Sequence, residues 1–319
     1  MDGYRASDQW KDHPLTPWAF TMLNAMGDLF DIIPAVSKNK RPLFDKMTLE
    51  QLRQYSNKNG HCSALIRITP GIEEVFVGHT SWFTYSAMLR IMKSYEFNLR
   101  NEASRAKKTV FSSYPGTLSS LDDMYLMSGS DLIMTQTTNS IYNHSLWDLI
   151  VPQSLLAWQR VRAANQLSDS GPEWFKVVGS HNSGSYNNQY MILGRCSFHA
   201  LTMTFRRVSL CMCVVADLKL FKPLNALPVN TLFVVEQIPG LVQGADVTAQ
   251  LERGYWSSYN VPYHQDVYVK SGYGLLDKLS GHALFTEYQQ APRAKIFRRD
   301  HSSAVVRNFY LHAVLFALP

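Results

Sequence analysis

A predicted β-hairpin that begins at Cys62 constrains the fold more than any other feature of the sequence. Apolar and polar residues partly alternate from Ala64 to Thr69, which is the pattern of a β-strand. Pro70-Gly71 is a turn signal, and the β-branched and aromatic run Val75-Phe76-Val77 predicts the returning strand. Cys62 is therefore expected at the first residue of a strand, with His79 at the far end of its hairpin partner.

The segments around the hairpin show other patterns. Thr48 and Gln51 have the spacing of a capping box, which predicts a short helix over about residues 49–57. After the hairpin, residues 82–95 carry apolar side chains at helical spacing and predict a longer helix. Residues 256–262 are expected to form a polar and aromatic loop.

Composition excludes several classes of protein. With 319 residues the chain can form one large domain or two small ones, and its 46% content of apolar residues argues against disorder. The net charge of +6 comes from 31 basic and 25 acidic residues, and no recognised nucleic-acid motif accompanies it, so we expect no nucleic-acid partner. Four cysteines are too few for a disulfide framework in a chain of this length. Because no metal-ligand spacing appears either, we expect neither a metal nor a cofactor.

Signals for secretion and membrane insertion are also missing from the sequence pattern. Met1 to Trp10 lacks the basic and then apolar pattern of a signal peptide. No uninterrupted apolar run reaches the length of about 18 residues that suggests a membrane span, so we expect no transmembrane segment. Asn143-His144-Ser145 is an N-glycosylation sequon, which matters only if the chain enters the secretory pathway.

Cys62 alone has a plain interpretation as a small buried side chain, because free cysteines are among the most buried residues. A single cysteine with scattered histidines is a weak signal for nucleophilic catalysis. Seven sequence blocks change this interpretation, because in this order they resemble the phospholipase B-like family of lysosomal hydrolases. The blocks are Gly60–Ile66, Gly78–Trp82, Phe111–Gly116, Asn182–Tyr190, Val235–Pro239, Tyr255–Pro262 and Ala291–Phe297.

The resemblance implies a fold and a domain plan. The family belongs to the N-terminal nucleophile hydrolases, which implies an α+β fold, the αββα sandwich of that class, here incomplete. Family members begin with a secretory signal and a further N-terminal portion and continue past the end of this chain, so we expect a partial or alternatively spliced form. The expected plan is a segment upstream of a processing point at 1–61, a hydrolase core at 62–300 with a non-family insert at 194–216, and a divergent tail at 301–319.

The resemblance also implies a mechanism. Proteins of this class cleave their own chain before a nucleophilic residue, which places the scissile bond between His61 and Cys62 and makes Cys62 the nucleophile. The freed α-amine has a pKa of about 7.7–8.0, so part of it is unprotonated near neutral pH and can accept the thiol proton. The upstream fragment of the precursor is then an expected partner of the hydrolase core.

Other site residues are carried over from the family blocks. His79 would orient Cys62, and the side-chain amide of Asn260 would donate to an oxyanion. Arg293 would hold a carboxylate or phosphate group, or stabilise the thiolate. Substrate-binding residues would be Trp82 as a wall of the pocket, together with Thr80 and Asn188.

Each catalytic residue also has a structural alternative. A histidine at the end of a strand, such as His79, is often a hydrogen-bonded core residue. Asn260 precedes Val261-Pro262 and fits a turn. Arg293 lies beside other basic residues and fits a solvated face.

Two functions therefore remain open at this stage. The first is an acyl hydrolase that acts on an ester or amide of a phospholipid or another acylated small molecule, in the lysosome or outside the cell as the resemblance implies. The second is a non-catalytic, truncated family member or binding protein. Cleavage before Cys62 distinguishes them.

Overall fold

The structure is a computed structural model that describes residues 2–59, 62–72, 74–81, 89–121, 124–194, 202–203, 211–217, 226–281 and 286–303. Within these ranges the helices are α1 Asp2–Arg5, α2 Gln9–Asp12, α3 Pro17–Asn24, α4 Met26–Val36, α5 Leu49–Asn59, α6 Ala157–Leu167, α7 Gly171–Gly179, α8 Thr248–Leu251, α9 Gln265–Ser271, α10 Tyr273–Leu279 and α11 Pro292–Asp300. The strands are β1 Cys62–Ile68, β2 Glu74–Ser81, β3 Ile91–Glu96, β4 Lys108–Ser113, β5 Met124–Ser128, β6 Leu132–Thr138, β7 Asn188–Leu193, β8 Thr202–Met203, β9 Cys211–Asp217, β10 Leu232–Ile238, β11 Leu241–Asp246 and β12 Tyr255–Ser258.

The strands form two antiparallel sheets. One sheet has five strands in the order β12-β1-β2-β9-β8, and the other has seven in the order β11-β10-β7-β6-β5-β4-β3. The predicted hairpin is confirmed as β1 and β2, whose register places Cys62 opposite Ser81 and Ala64 opposite His79. Cys62 is the first residue of β1, as the sequence predicts.

Side chains along the hairpin alternate between two cores, because successive residues of a strand point to opposite faces. Ala64 and Val77 pack in a core shared with the seven-stranded sheet, whereas Leu65 and Phe76 pack in a core shared with helices. The core between the sheets contains Ala64, Ile66, Ile68, Val75 and Val77 from the hairpin and Met124, Leu126, Ile133, Met191 and Val234 from the opposite sheet. The two sheets therefore stack face to face.

Helices cover the outer face of each sheet. Val161 of α6 and Trp174 of α7 pack in a core with Met134 and Tyr190 of the seven-stranded sheet. On the five-stranded side, the helix residues Leu52 and Phe297 pack in the core that contains Leu65 and Phe76. The layers follow the order helix, sheet, sheet, helix, and the mixed α+β class is confirmed.

The capping box before α5 is confirmed in detail. The Thr48 main-chain N–H donates to Gln51 Oε1 at 2.8 Å, and the Gln51 main-chain N–H donates to Thr48 Oγ1 at 3.3 Å. These reciprocal bonds satisfy two donors that a helix start leaves without an intrahelical partner. Leu52, one residue later, is buried in the helix-side core, so this segment upstream of Cys62 is part of the fold.

Two of the sequence-based element predictions are wrong. Within the predicted helix over 82–95, residues 82–88 lie outside the described residues, but Ile91–Glu96 forms β3 and pairs with β4. Within the predicted loop over 256–262, the first residues belong to β12, which pairs with β1. In both places sheet pairing overrides the local pattern, because strand preference depends mostly on neighbouring strands.

The predicted insert over 194–216 contains all of β8 and all but the last residue of β9, the two strands that follow β2 in the order of the five-stranded sheet. Cys211–Asp217 pairs with β2 along its length, from Glu74 opposite Asp217 to Thr80 opposite Cys211. Among the described residues, no single helix is long and apolar enough to cross a membrane, although α3 and α4, which meet at a bend of 95°, meet the length and composition criteria together.

Candidate active site

The candidate site lies at one rim of the sandwich, where β1 begins and where β2, β6 and β12 end. Cys62 is 2% exposed and shares its face of β1 with Ala64, so it faces the seven-stranded sheet. In the described part of the chain, Cys62 is a buried cysteine outside any disulfide. A buried position is typical of a structural core cysteine as well as of a catalytic one. The residues around Cys62 therefore determine which chemistry it can perform.

His79 lies on the same face of the sheet as Cys62. It is opposite Ala64 and is therefore a diagonal neighbour of Cys62, at a typical Cα spacing of about 7–8 Å. The buried ring donates from Nε2 to the main-chain oxygen of Gln136 in the opposite sheet, at 2.9 Å. This bond places the proton of the neutral ring on Nε2 and leaves Nδ1 as its acceptor. His79 is thus held in one orientation at the rim.

Arg293 of α11 joins the residues around Cys62. Its Nη1 donates to the main-chain oxygen of Cys62 at 2.5 Å and to Ser63 Oγ at 3.1 Å. Its Nη2 donates to Asn260 Oδ1 at 2.8 Å. Burial lowers the pKa of the Arg293 guanidinium to about 10, while its interaction with Cys62 opposes that shift. The structure thus places Arg293 between Cys62 and Asn260, as a bridge to the Cys62 main chain.

Asn260 is fixed by a left-handed backbone and by both ends of its side chain. Its φ of 64° lies in a region that asparagine tolerates better than most residues. Its Nδ2 donates to the main-chain oxygen of Thr138 at 2.7 Å, and its Oδ1 accepts from Arg293. The Tyr273 hydroxyl donates to the Asn260 main-chain oxygen at 2.7 Å. One of the two N–H groups of the amide is thereby used, and the oxyanion role of Asn260 stays a prediction.

A hydrogen bond between the sheets adds two residues that the sequence did not single out. Thr137 Oγ1 and Ser258 Oγ are 2.6 Å apart and both are buried. Ser258 lies opposite Ala64 on β1, so this bond clamps the sheets beside Cys62. The signal in the sequence is a polar run at the end of each strand, residues 135–138 and 257–258, where an inward face would otherwise be apolar.

Of the predicted substrate-binding residues, Thr80 lies beside this centre, whereas the Asn188 side chain lies on the other face of the seven-stranded sheet, with Tyr190. Thr80 is buried opposite Ser63, and its Oγ1 donates to the Ser63 main-chain oxygen at 3.5 Å. Asn188 is fully buried at the start of β7, and its Nδ2 donates to Tyr186 O at 3.0 Å and to Tyr190 Oη at 3.1 Å. Direct contacts join Cys62, Arg293 and Asn260. Substrate roles for Thr80 and Asn188 stay predictions.

The remaining predicted site residues fall elsewhere. Trp82 and His61 lie outside the described residues. Asn143 is half-buried just before a 3-10 turn, and its Nδ2 donates to the Lys270 main-chain oxygen at 3.1 Å. Glycosylation at Asn143 and cleavage at His61 remain predictions.

Sequence reasoning also missed a buried carboxyl group near the rim. Glu236 of β10 is 0% exposed, and burial raises the pKa of its side chain to about 7. Its Oε1 accepts from Gln189 Nε2 at 2.6 Å and from the Tyr263 N–H at 2.8 Å, and its Oε2 accepts from the His264 N–H at 2.8 Å. These hydrogen bonds favour the charged carboxylate and lower its pKa, but desolvation by burial raises the pKa by more.

The raised pKa predicts a pH-dependent contribution of Glu236 to stability. A carboxyl group with a pKa raised on folding stabilises the native state fully at low pH, and this contribution is lost as the pH rises through about 7. We expect the unfolding free energy of wild type relative to Glu236→Gln to fall by about 1 kcal/mol per pH unit between pH 5 and pH 7. Urea unfolding of both proteins at several pH values measures this difference. Burial lowers the pKa of His264, which makes the native state more stable as the pH rises, but this effect is present in both proteins and cancels in the comparison. If the unfolding free energies of the two proteins changed in parallel with pH, the raised pKa of Glu236 would be contradicted.

Comparison with known proteins identifies relatives along nearly the whole chain. A family model described as Phospholipase B matches residues 1–310. The chain is 44% identical to phospholipase B-like 1 of Rattus norvegicus, over 94% of this chain and 48% of that protein. It is 43% identical to phospholipase-B 81 of Drysdalia coronoides, over 96% of this chain and 51% of that protein. It is 36% identical to phospholipase B-like protein D of Dictyostelium discoideum, over 93% of this chain and 49% of that protein. The chain spans about half the length of the curated relatives it matches.

Proposed function

The chain belongs to the phospholipase B family, and on that premise we propose that it carries the nucleophile of an acyl hydrolase, the Cys62 thiol, in the fold of an N-terminal nucleophile hydrolase. The substrate is an ester or amide of a phospholipid or a related lipid. The observation that carries the proposal is the Arg293 bridge, which joins the main chain of Cys62 to the side chain of Asn260. A cysteine that served only as a core side chain would need no such assembly around its carbonyl group.

Activation begins with cleavage of the bond before Cys62. The Cys62 thiol attacks the carbonyl carbon of His61, the acyl group moves from nitrogen to sulfur, and water hydrolyses the resulting thioester. The products are a carboxylate at His61 and a free α-amine and thiol at Cys62. His79, whose ring is fixed by Gln136, orients the Cys62 end of the strand during this step.

The freed α-amine then serves as the base for lipid hydrolysis. It accepts the Sγ proton, and the thiolate attacks the acyl carbonyl carbon of the substrate. The second N–H of Asn260 donates to the oxyanion, and in the same step Arg293 holds the Asn260 amide in place. The leaving alcohol takes the proton from the ammonium group, and water releases the fatty acid from sulfur and restores the thiol. Secretion or lysosomal targeting and a glycan on Asn143 belong to the same proposal.

Hydrolysis of phosphatidylcholine in mixed micelles tests the function. We expect cleaved wild-type protein to release fatty acid, detected by mass spectrometry, and we expect Cys62→Ala to lose at least about a hundredfold in rate, because the acyl-enzyme cannot form. Thermal melting of both proteins controls for folding. Equal rates in the two proteins would remove Cys62 from the mechanism, and a cleaved, folded wild type without activity would favour the non-catalytic alternative.

A further inference from the structure

A small pocket lies at the rim of the sandwich, next to Asn260. Its volume is about 60 Å³. Thr138 forms part of the wall, and the main-chain oxygen of Thr138 accepts from Asn260 Nδ2 at 2.7 Å. Thr138 is thus in contact with both the pocket and the proposed oxyanion donor. Another part of the wall comes from the segment upstream of the proposed cleavage point and contains Phe30, Asp31 and Tyr55.

The wall of this pocket combines one carboxyl group with several aromatic side chains. The aromatic residues are Phe30, Tyr55, Trp147 and Tyr186. Asp31 is half-buried, and its Oδ1 accepts from Trp147 Nε1 at 3.4 Å while its Oδ2 accepts from Asn187 Nδ2 at 2.8 Å. An ionised carboxylate offers about four acceptor positions, so Asp31 can accept a further hydrogen bond from a ligand.

The charges around the pocket favour a positively charged ligand. Burial, and to a smaller extent the charge of Asp28, raises the pKa of the Asp31 carboxyl to about 7. Above that pH the carboxylate is poorly solvated, and a cation beside it would be stabilising. Among the described residues, no lysine or arginine lines the pocket. Arg41 contacts the Trp147 ring from outside the pocket wall and pairs with Asp148 at 2.7 Å.

The composition of the wall favours an organic cation over a metal ion. A hard metal cation needs several oxygen ligands, and Asp31 is the one carboxylate that lines the pocket in the described part of the chain. Within the same residues, no group of three His, Cys, Asp or Glu side chains could hold a metal ion. Aromatic rings attract organic ammonium groups through the negative potential of their faces.

We propose that this pocket binds a primary ammonium group of the substrate, with Asp31 as the hydrogen-bond acceptor and the aromatic side chains around the cation. Size separates a primary ammonium group from a quaternary one. A trimethylammonium group has roughly the bulk of benzene, which occupies a cavity of about 150 Å³, and the pocket has less than half that volume. A quaternary nitrogen also has no N–H to donate to Asp31.

The pocket can be tested separately from catalysis. That the amine belongs to the substrate rests on the proposed function, but Cys62 and Arg293, both described residues, do not line the pocket. Binding of a small ammonium ion therefore needs neither cleavage nor the thiol. In the cleaved enzyme Asp31 would be supplied by the upstream fragment, so that fragment would contribute to the choice of substrate.

The first test is titration of the full chain with the Cys62→Ala substitution, followed by saturation-transfer NMR. Ethylammonium chloride and tetramethylammonium chloride are compared at constant ionic strength and at pH 8, where the Asp31 carboxyl is mostly ionised. We expect saturable binding of ethylammonium and at least tenfold weaker binding of tetramethylammonium. Asp31→Asn is expected to weaken ethylammonium binding at least tenfold. The matched control is Asp45→Asn: Asp45 is also in the upstream segment but is exposed and does not line the pocket, so binding should stay within twofold.

The second test is hydrolysis by cleaved wild-type protein of phosphatidylethanolamine and phosphatidylcholine with the same acyl chains, in mixed micelles. We expect kcat/KM to be at least tenfold higher for phosphatidylethanolamine, which carries the primary amine, and we expect Asp31→Asn to bring the ratio close to one. Thermal melting shows whether Asp31→Asn is folded, and the comparison of the two cations needs no variant of the pocket.

The outcomes separate the pocket from the reaction. Equal affinity for the two cations, or equal loss of binding in Asp31→Asn and Asp45→Asn, would overturn the pocket. Ethylammonium binding together with equal kcat/KM for the two lipids would overturn the assignment of the amine to the substrate. If neither lipid is hydrolysed, that assignment fails together with the proposed function, whereas saturable ethylammonium binding would still support the pocket.

Discussion

Wild-type protein held at mildly acidic pH is expected to end as two chains, one that finishes at His61 and one that begins at Cys62, whereas Cys62→Ala stays as one chain. The reason is chemical: only a side-chain nucleophile at position 62 can take the acyl group of His61 onto itself. The intact mass of the denatured protein measures the result, and incubation at neutral pH provides a comparison. The expected effect is all or none, since cleavage is complete or absent.

Under native conditions, the two chains are expected to remain together. Phe44 and Leu52 from the upstream segment are buried in the same core as Phe297 from the hydrolase side. Asp28 from the same segment accepts hydrogen bonds from Ala157 and Ser185. Separating the chains would expose these apolar side chains, each worth about 1.5–3 kcal/mol when fully buried. Size-exclusion chromatography of the cleaved protein should therefore give one peak that contains both fragments.

Two results would contradict the cleavage prediction. An uncut wild type at both pH values would mean that the rim residues do not form a competent nucleophile in this chain. A cut at the same bond in Cys62→Ala would mean that a contaminating protease, rather than the chain itself, makes the break. A time course at several protein concentrations separates the mechanisms, because an intramolecular rate does not depend on concentration.

Features with a local signal were predictable from the sequence. The hairpin follows from alternation and a Pro-Gly turn, and the start of α5 follows from the Thr48 and Gln51 side chains, which bond to main-chain groups within one turn. The identity of the candidate nucleophile rested on resemblance, because a lone buried cysteine carries little information by itself.

Features that depend on distant parts of the chain were not predictable. The sequence predicts a polar and aromatic loop at β12, because the strand is only four residues long and ends in two serines; its strand form depends on pairing with β1. The bond between Thr137 and Ser258 joins residues far apart in sequence, and no local pattern specifies which sheets will stack. The raised pKa of Glu236 likewise follows from tertiary burial, since a glutamate within an apolar strand gives no sign of its hydrogen-bond partners.

Arg293→Lys is expected to lower kcat for lipid hydrolysis by about a hundredfold or more, with a smaller change in KM. The guanidinium donates from Nη1 to the Cys62 carbonyl and Ser63 Oγ and from Nη2 to Asn260 at the same time. The lysine ammonium is a single point donor and cannot reproduce this planar fork. Asn260 would then lose the bond to its Oδ1, which is one of the two bonds that orient its side chain. Removal of one donor to an oxyanion costs about 2.7–4 kcal/mol in a measured hydrolase.

Arg298→Lys is the matched control, because Arg298 lies on the same helix but is exposed and bonds only weakly to Gln289, at 3.4 Å. Its substitution should leave kcat unchanged and stability within about 0.5 kcal/mol of wild type.

A purely structural role for Arg293 predicts a different pattern, in which Arg293→Lys lowers the melting temperature while the folded fraction keeps a normal kcat. Partial rescue of an Arg293→Ala variant by added guanidinium would support the positioning role, because the free cation can restore the bridge between Cys62 and Asn260. If Arg293 positions Asn260 for catalysis, Arg293→Lys lowers kcat even in protein that is fully folded. A loss of stability without a loss of kcat would instead assign Arg293 a structural role only.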